Sequence, residues 1–142
     1  MTQADRGVRL EGAPEPHKMI PASGGVHVAA DIYGEMGPLV ILQHGGGQTR
    51  HAWKGAGQKL AEAGYQAVSL DARGHGDSDW APDGDYSNQA LVEDLVAVVE
   101  NLGQRPILVG ASMGGGTSLT AVGEERVDAE ALVLVDTAPV SY

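Results

Sequence analysis

Four short, mostly apolar runs most constrain how this chain can fold. They are Leu39-Val40-Ile41-Leu42, the stretch from Tyr65 to Leu70, Ile107-Leu108-Val109 behind Pro106, and Ala131-Leu132-Val133-Leu134-Val135. The continuous run Leu39–Leu42 suits a strand of a parallel sheet buried on both faces, and the other three read as strands beside it. Helical patterns lie between them. Residues 51–63 carry Trp53, Leu60 and Ala61 at helical spacing, with Gly64 as the stop. Ser87 is an N-cap for a helix with Leu91, Leu95, Val98 and Leu102 on one face, closed by Gly103. A glycine-rich helix runs from Met113 to about Gly123. Upstream, Val26, Val28, Ala30 and Ile32 alternate with other residues as a period-two strand, and residues 18–21 form a partner strand. Strands alternating with helices from residue 39 onward, joined by long crossovers, predict an α/β fold. Its sheet is mostly parallel, with helices on both faces. No repeat or linker divides the chain, so residues 1–142 read as one domain.

Composition narrows the function. Cysteine is absent, which excludes disulfides, thiolate catalysis and cysteine-ligated zinc. The net charge of −10 argues against a nucleic-acid partner or a polybasic membrane contact. No apolar stretch approaches the ~20 residues of a membrane helix, and Met1 to Glu11 lacks the apolar core of a signal peptide, so the expected location is cytoplasmic. Glycine makes up 21 of the 142 residues, clustered at Gly45 to Gly47, at Gly74 and Gly76, and at Gly114 to Gly116. Such clusters mark tight turns between regular elements.

Two of these clusters carry chemistry. Gly110-Ala111-Ser112-Met113-Gly114 reads G-x-S-x-G and stands between a buried strand and a helix. There the chain must turn sharply, which lifts a serine hydroxyl into a cleft and makes Ser112 the candidate nucleophile. The free N–H groups of the helix start favour negative charge beside it, and the backbone N–H of Met113 is one candidate oxyanion donor. The same segment, Gly110 to Thr117, also approximates a phosphate loop, but Gly116 stands where that loop needs lysine. The second cluster, His44-Gly45-Gly46-Gly47, follows the strand at 39–42. A turn there can aim a second backbone N–H at the same oxygen. Gly46 is the candidate donor, ahead of Gly47, and two such preorganised donors stabilise a tetrahedral oxyanion. His44 itself reads as structural, its ring bonded to loop backbone.

Four ordered motifs together resemble the α/β-hydrolase superfamily. They are His44-Gly45-Gly46-Gly47, the stretch Leu70-Asp71-Ala72-Arg73-Gly74-His75-Gly76-Asp77-Ser78-Asp79, Val109-Gly110-Ala111-Ser112-Met113-Gly114-Gly115, and Leu132-Val133-Leu134-Val135-Asp136. The resemblance runs from about residue 17 onward and is nearest to the branch of esterases, cofactor-free haloperoxidase-like enzymes and epoxide-hydrolase-like sequences. It implies that Asp71 to Asp79 is a structural loop, with Arg73 paired to Asp77 or Asp79. Epoxide hydrolases of this family place aspartate at the elbow, so Ser112 points to acyl transfer on esters, thioesters or related carbonyl compounds.

The family order is nucleophile, acid, histidine. All five histidines, His17, His27, His44, His51 and His75, precede Ser112, so the family's general base is missing from this chain. Asp136 is a minor candidate for the acid. The resemblance further implies a truncated fold, lacking the C-terminal strands and the lid, with the last strand as an exposed apolar edge.

The expected function is therefore a serine hydrolase of small-molecule acyl substrates that needs no cofactor or metal and is nearly inactive as this chain. A perhydrolase activity and a non-catalytic binding domain are the alternatives. Trp53 and Trp80 are candidates for the cleft wall, although ordinary packing is the favoured reading for each.

Overall fold

A computed structural model describes residues 14–135. Six strands form one sheet. They are β1 (Lys18–Pro21), β2 (His27–Tyr33), β3 (Leu39–Gln43), β4 (Gln66–Leu70), β5 (Ile107–Ala111) and β6 (Ala131–Val135). Three α-helices connect them, α1 (Lys54–Glu62), α2 (Asn88–Leu102) and α3 (Met113–Gly123). The strand order is β1-β2-β4-β3-β5-β6. β1, β2 and β4 pair antiparallel, and β4, β3, β5 and β6 pair parallel. The four apolar runs are these four parallel strands.

The helices cover both faces. On one face α2 and α3 pack over Ile41, Val68, Leu70 and Leu108 through Val92, Leu95, Val98 and Ala121. On the other, α1 lies over Val40, Leu42 and Ala67 with Trp53, Leu60 and Tyr65 around them. The helix at 51–63 divides into a 3-10 turn, Arg50–Trp53, and α1. The Thr49 side chain accepts the His51 N–H at its start. α2 begins and ends as its sequence predicts. The Ser87 hydroxyl accepts the Ala90 N–H at 3.2 Å, and Gly103 takes the left-handed conformation at φ 71°.

The β3–β4–β5 register aligns the ends of three strands. Gln43 lies opposite Leu70 on one side and Gly110 on the other. The loops after β3, β4 and β5 therefore leave the same sheet edge together. Open parallel sheets bind their ligands at that edge. At the far side β6 is the outermost strand, and Val133, Leu134 and Val135 are exposed. Among the described residues no helix is long and apolar enough to cross a membrane.

Candidate active site

Ser112 links β5 to α3 at φ 50° and ψ −111°, a conformation that L-residues rarely adopt. The two glycines around it are required by space. A Cβ on Gly110 would lie 2.5 Å from the Gly114 carbonyl carbon and 2.6 Å from the Gly115 nitrogen. A Cβ on Gly114 would lie 2.7 Å from the Gln43 carbonyl carbon. Only hydrogens let α3 start this close to β3 and β5. The Gly114 N–H then donates to the His44 carbonyl at 3.2 Å, tying the elbow to the turn after β3.

That turn is held by side chains. The Ala72 N–H donates to His44 Nε2 at 3.0 Å, so the ring carries its proton on Nδ1 and donates to the Gly45 carbonyl at 2.7 Å. His44 is thus structural, as its place before the nucleophile predicts. Burial is the main force pushing its pKa below the ordinary 6.5, partly opposed by the Gly45 carbonyl. The Gly45 N–H donates to Gln48 Oε1 at 3.0 Å, and the Gly47 N–H to His75 Nε2 at 3.3 Å. Gly46 N–H and Met113 N–H are engaged by none of these acceptors.

Two hollows meet at Ser112. One, of about 380 Å³, is lined by Gly45, Gly46, Gln48, Ala52, Trp53 and Ala111. The other, of about 490 Å³, is lined by Gly46, Tyr86, Asn88, Leu91, Met113 and Gly116. Ser112 and Gly46 belong to both. The structure thus brings Ser112, Met113 and Gly46 together. Trp53 reaches the site, and its buried indole N–H finds no acceptor among the described residues. Trp80 is half exposed and lines neither hollow. A smaller enclosed space of about 30 Å³ lies behind the elbow, between the sheet and α2, and does not include Ser112.

No histidine lines either hollow. His17 Nδ1 accepts the Ile32 N–H at 2.8 Å, His27 is 3.2 Å from Asp79, and His51 is 3.9 Å from Asp31. Asp136 lies outside the described residues.

The loop after β4 corrects one expectation. Arg73 pairs with neither Asp77 nor Asp79. It reaches α2 instead, where Nε and Nη2 hold the two Asp94 carboxylate oxygens at 2.6 and 2.7 Å. Asp79 turns to the His27 N–H at 2.8 Å, and Asp77 to Arg50 Nη1 at 2.9 Å. Arg50, which the sequence did not single out, is fully buried among three carboxylates. Its Nη1 lies 2.6 Å from Asp71 Oδ2 and its Nε 3.0 Å from Asp31 Oδ1, the latter an ion pair without hydrogen-bond alignment. Burial works against its charge, but Asp31 and Asp71 outweigh it and hold the guanidinium pKa above the ordinary value. An arginine directly after a glycine turn carries no local sign that its partners sit on β2 and in the loop after β4.

Comparison with known proteins agrees with this architecture. The model of the alpha/beta hydrolase fold family matches residues 38–141, so the chain belongs to that family. It is 38% identical over 115 residues to an esterase of Mycobacterium tuberculosis, covering 79% of this chain and 37% of that protein. It is 33% identical over 105 residues to a mouse sn-1-specific diacylglycerol lipase, covering 72% of this chain and 34% of that one. Epoxide hydrolase B of M. tuberculosis is 32% identical over 108 residues, covering 73% of this chain and 30% of its own. Among solved structures, an esterase from Exiguobacterium antarcticum superposes with a TM-score of 0.78 at 28% identity, covering 89% of this chain and 47% of that one. The chain spans about a third of the length of the curated relatives it matches.

Proposed function

We propose that this chain carries the nucleophile and oxyanion half of a serine hydrolase acting on carboxylic esters or similar small acyl substrates. Ser112 Oγ attacks the carbonyl carbon, and the carbonyl oxygen becomes an oxyanion facing the N–H groups of Met113 and Gly46. A base takes the hydroxyl proton and passes it to the leaving oxygen, so collapse expels the alcohol and leaves an acyl-serine, which water then cleaves to the free acid and Ser112. The observation that carries this reading is the meeting of both hollows at Ser112 and Gly46, with the Gly46 and Met113 amides left over when their neighbours are engaged. A serine at the elbow also favours acyl transfer over the chemistry named for the epoxide hydrolase relatives.

The serine needs a base to be a competent nucleophile. None of the histidines among the described residues is hydrogen-bonded to it, and each is engaged elsewhere. The 142-residue chain should therefore hydrolyse p-nitrophenyl butyrate no faster than its Ser112→Ala variant. Adding imidazole supplies the missing base and should raise turnover above that same control. Strong Ser112-dependent turnover without imidazole would show that a base is present after all. No Ser112-dependent turnover even with imidazole would leave the binding-domain alternative standing.

A further inference from the structure

We propose that His75, with Gln48 as its counterpart, is a positioning residue for the oxyanion turn. The inference rests on Gly46 N–H acting as an oxyanion donor, as set out above. A peptide plane is rigid, so the direction of the Gly46 N–H is fixed by where the planes around it are held. Gly45 N–H donates forward to Gln48 Oε1 at 3.0 Å, and Gln48 N–H returns to the Gly45 carbonyl at 3.1 Å. Gly47 donates to His75 Nε2 at 3.3 Å. Among the described residues, the N–H of Gly46 between them is the one that meets no acceptor.

The chemistry of the His75 ring is determined by its partners. An N–H can only be met by an acceptor, so Nε2 is unprotonated and the proton sits on Nδ1. Nδ1 then donates to the Arg73 carbonyl at 3.1 Å. The ring also packs against His44, with centroids 5.0 Å apart. His75 therefore braces the turn twice, once through the Gly47 amide and once through the ring that holds the Gly45 carbonyl. The loop bearing His75 is itself held by hydrogen bonds. The Gly74 N–H is bonded to the Asp79 carbonyl at 2.9 Å, and the loop's Arg73 is clamped to Asp94. The segment after β4 thus does more than fill space. It sets the aim of an amide that belongs to the segment after β3.

The test reads the turn directly, in the 142-residue chain, by amide hydrogen exchange followed with NMR. In His75→Ala the Gly47 amide should exchange about tenfold faster, as loss of one hydrogen bond implies. Gln48→Leu should do the same to Gly45. Nitrogen NMR of the wild type should find the His75 ring protonated on Nδ1. For catalysis, the imidazole-assisted hydrolysis of p-nitrophenyl butyrate should lose about ten- to a hundredfold in kcat in His75→Ala, with KM changed by less than about twofold. His75→Gln, which keeps an acceptor oxygen at similar reach, should recover most of that loss. Unchanged Gly47 exchange in a folded His75→Ala chain would overturn the proposal whatever the rates. Faster exchange with an unchanged, Ser112-dependent kcat would also overturn it, while leaving the serine reading intact. Absence of any Ser112-dependent rate in the wild type would bring down the serine reading and this inference with it.

Discussion

Two glycine turns meet at Ser112, and they are held in opposite ways. The elbow after β5 is fixed by its own backbone, because α3 starts so close to β3 and β5 that Gly110 and Gly114 admit no side chain. The turn after β3 has room at Gly46. A Cβ on Gly46 would have only the Met113 sulfur near it, at 3.9 Å. What fixes this turn is a set of side chains, its own flanking His44 and Gln48 and the distant His75, with Arg50 and its carboxylates as the foundation beneath. One turn is built by exclusion, the other by suspension. The first shows its two glycines and its serine within five residues of sequence, although Gln43 on β3 supplies part of the exclusion. The second needs, besides its own His44 and Gln48, a histidine from the loop after β4.

The contrast can be broken most severely through Arg50. Arg50→Leu leaves Asp31, Asp71 and Asp77 buried without their cation, and should destabilise the chain by about 3–5 kcal/mol in urea unfolding. A wild-type midpoint would mean that the suspended turn does not depend on that foundation. Next come the glycines. Gly114→Ala forces a methyl group against the Gln43 carbonyl, and overpacking of this kind costs about 1–3 kcal/mol, with the upper end expected where backbone must yield. Gly46→Ala should shift the melting temperature very little, by less than about 0.5 kcal/mol in free energy. Equal losses at Gly46 and Gly114 would erase the distinction between the turns. The smallest effect concerns protons. Burial lowers the His44 pKa in the folded chain, so below pH 6.5 the unfolded chain takes up the proton first. Stability present at neutral pH should therefore decline as pH falls through 6.5, and level off once the folded ring is protonated too. Thermal melts across that range check it, and a flat response would show that His44 is not held neutral.

How much of this was legible in the sequence follows the same division. The four apolar runs became the four parallel strands because a short, mostly apolar stretch is read locally. Ser87, Gly64 and Gly103 ended or began helices for the same reason. G-x-S-x-G announced the elbow because its two glycines and its serine are needed within one bend. The suspended turn was only half legible. His44-Gly45-Gly46-Gly47 signalled a turn and a structural His44, but nothing in the pattern names the adjacent Gln48 Oε1 or the distant His75 Nε2 as its anchors. Arg73 was misassigned because neighbours in sequence were taken for neighbours in space. Asp77 and Asp79 face Arg50 and His27, and the partner of Arg73 waits on α2 at Asp94. Long-range polar pairing leaves no periodic trace, so only the folded coordinates reveal it.

The backbone angles of Ser112 have a thermodynamic consequence of their own. A non-glycine residue at a sparsely populated conformation carries about 1–3 kcal/mol of strain, which the packed surroundings must override. Glycine relaxes that strain, although it also enlarges the entropy of the unfolded chain by up to about 1 kcal/mol. The chain is thus less stable than its sequence permits at the one position that bears the hydroxyl. A Ser112→Gly chain, deprived of all nucleophilic chemistry, should be the harder of the two to melt.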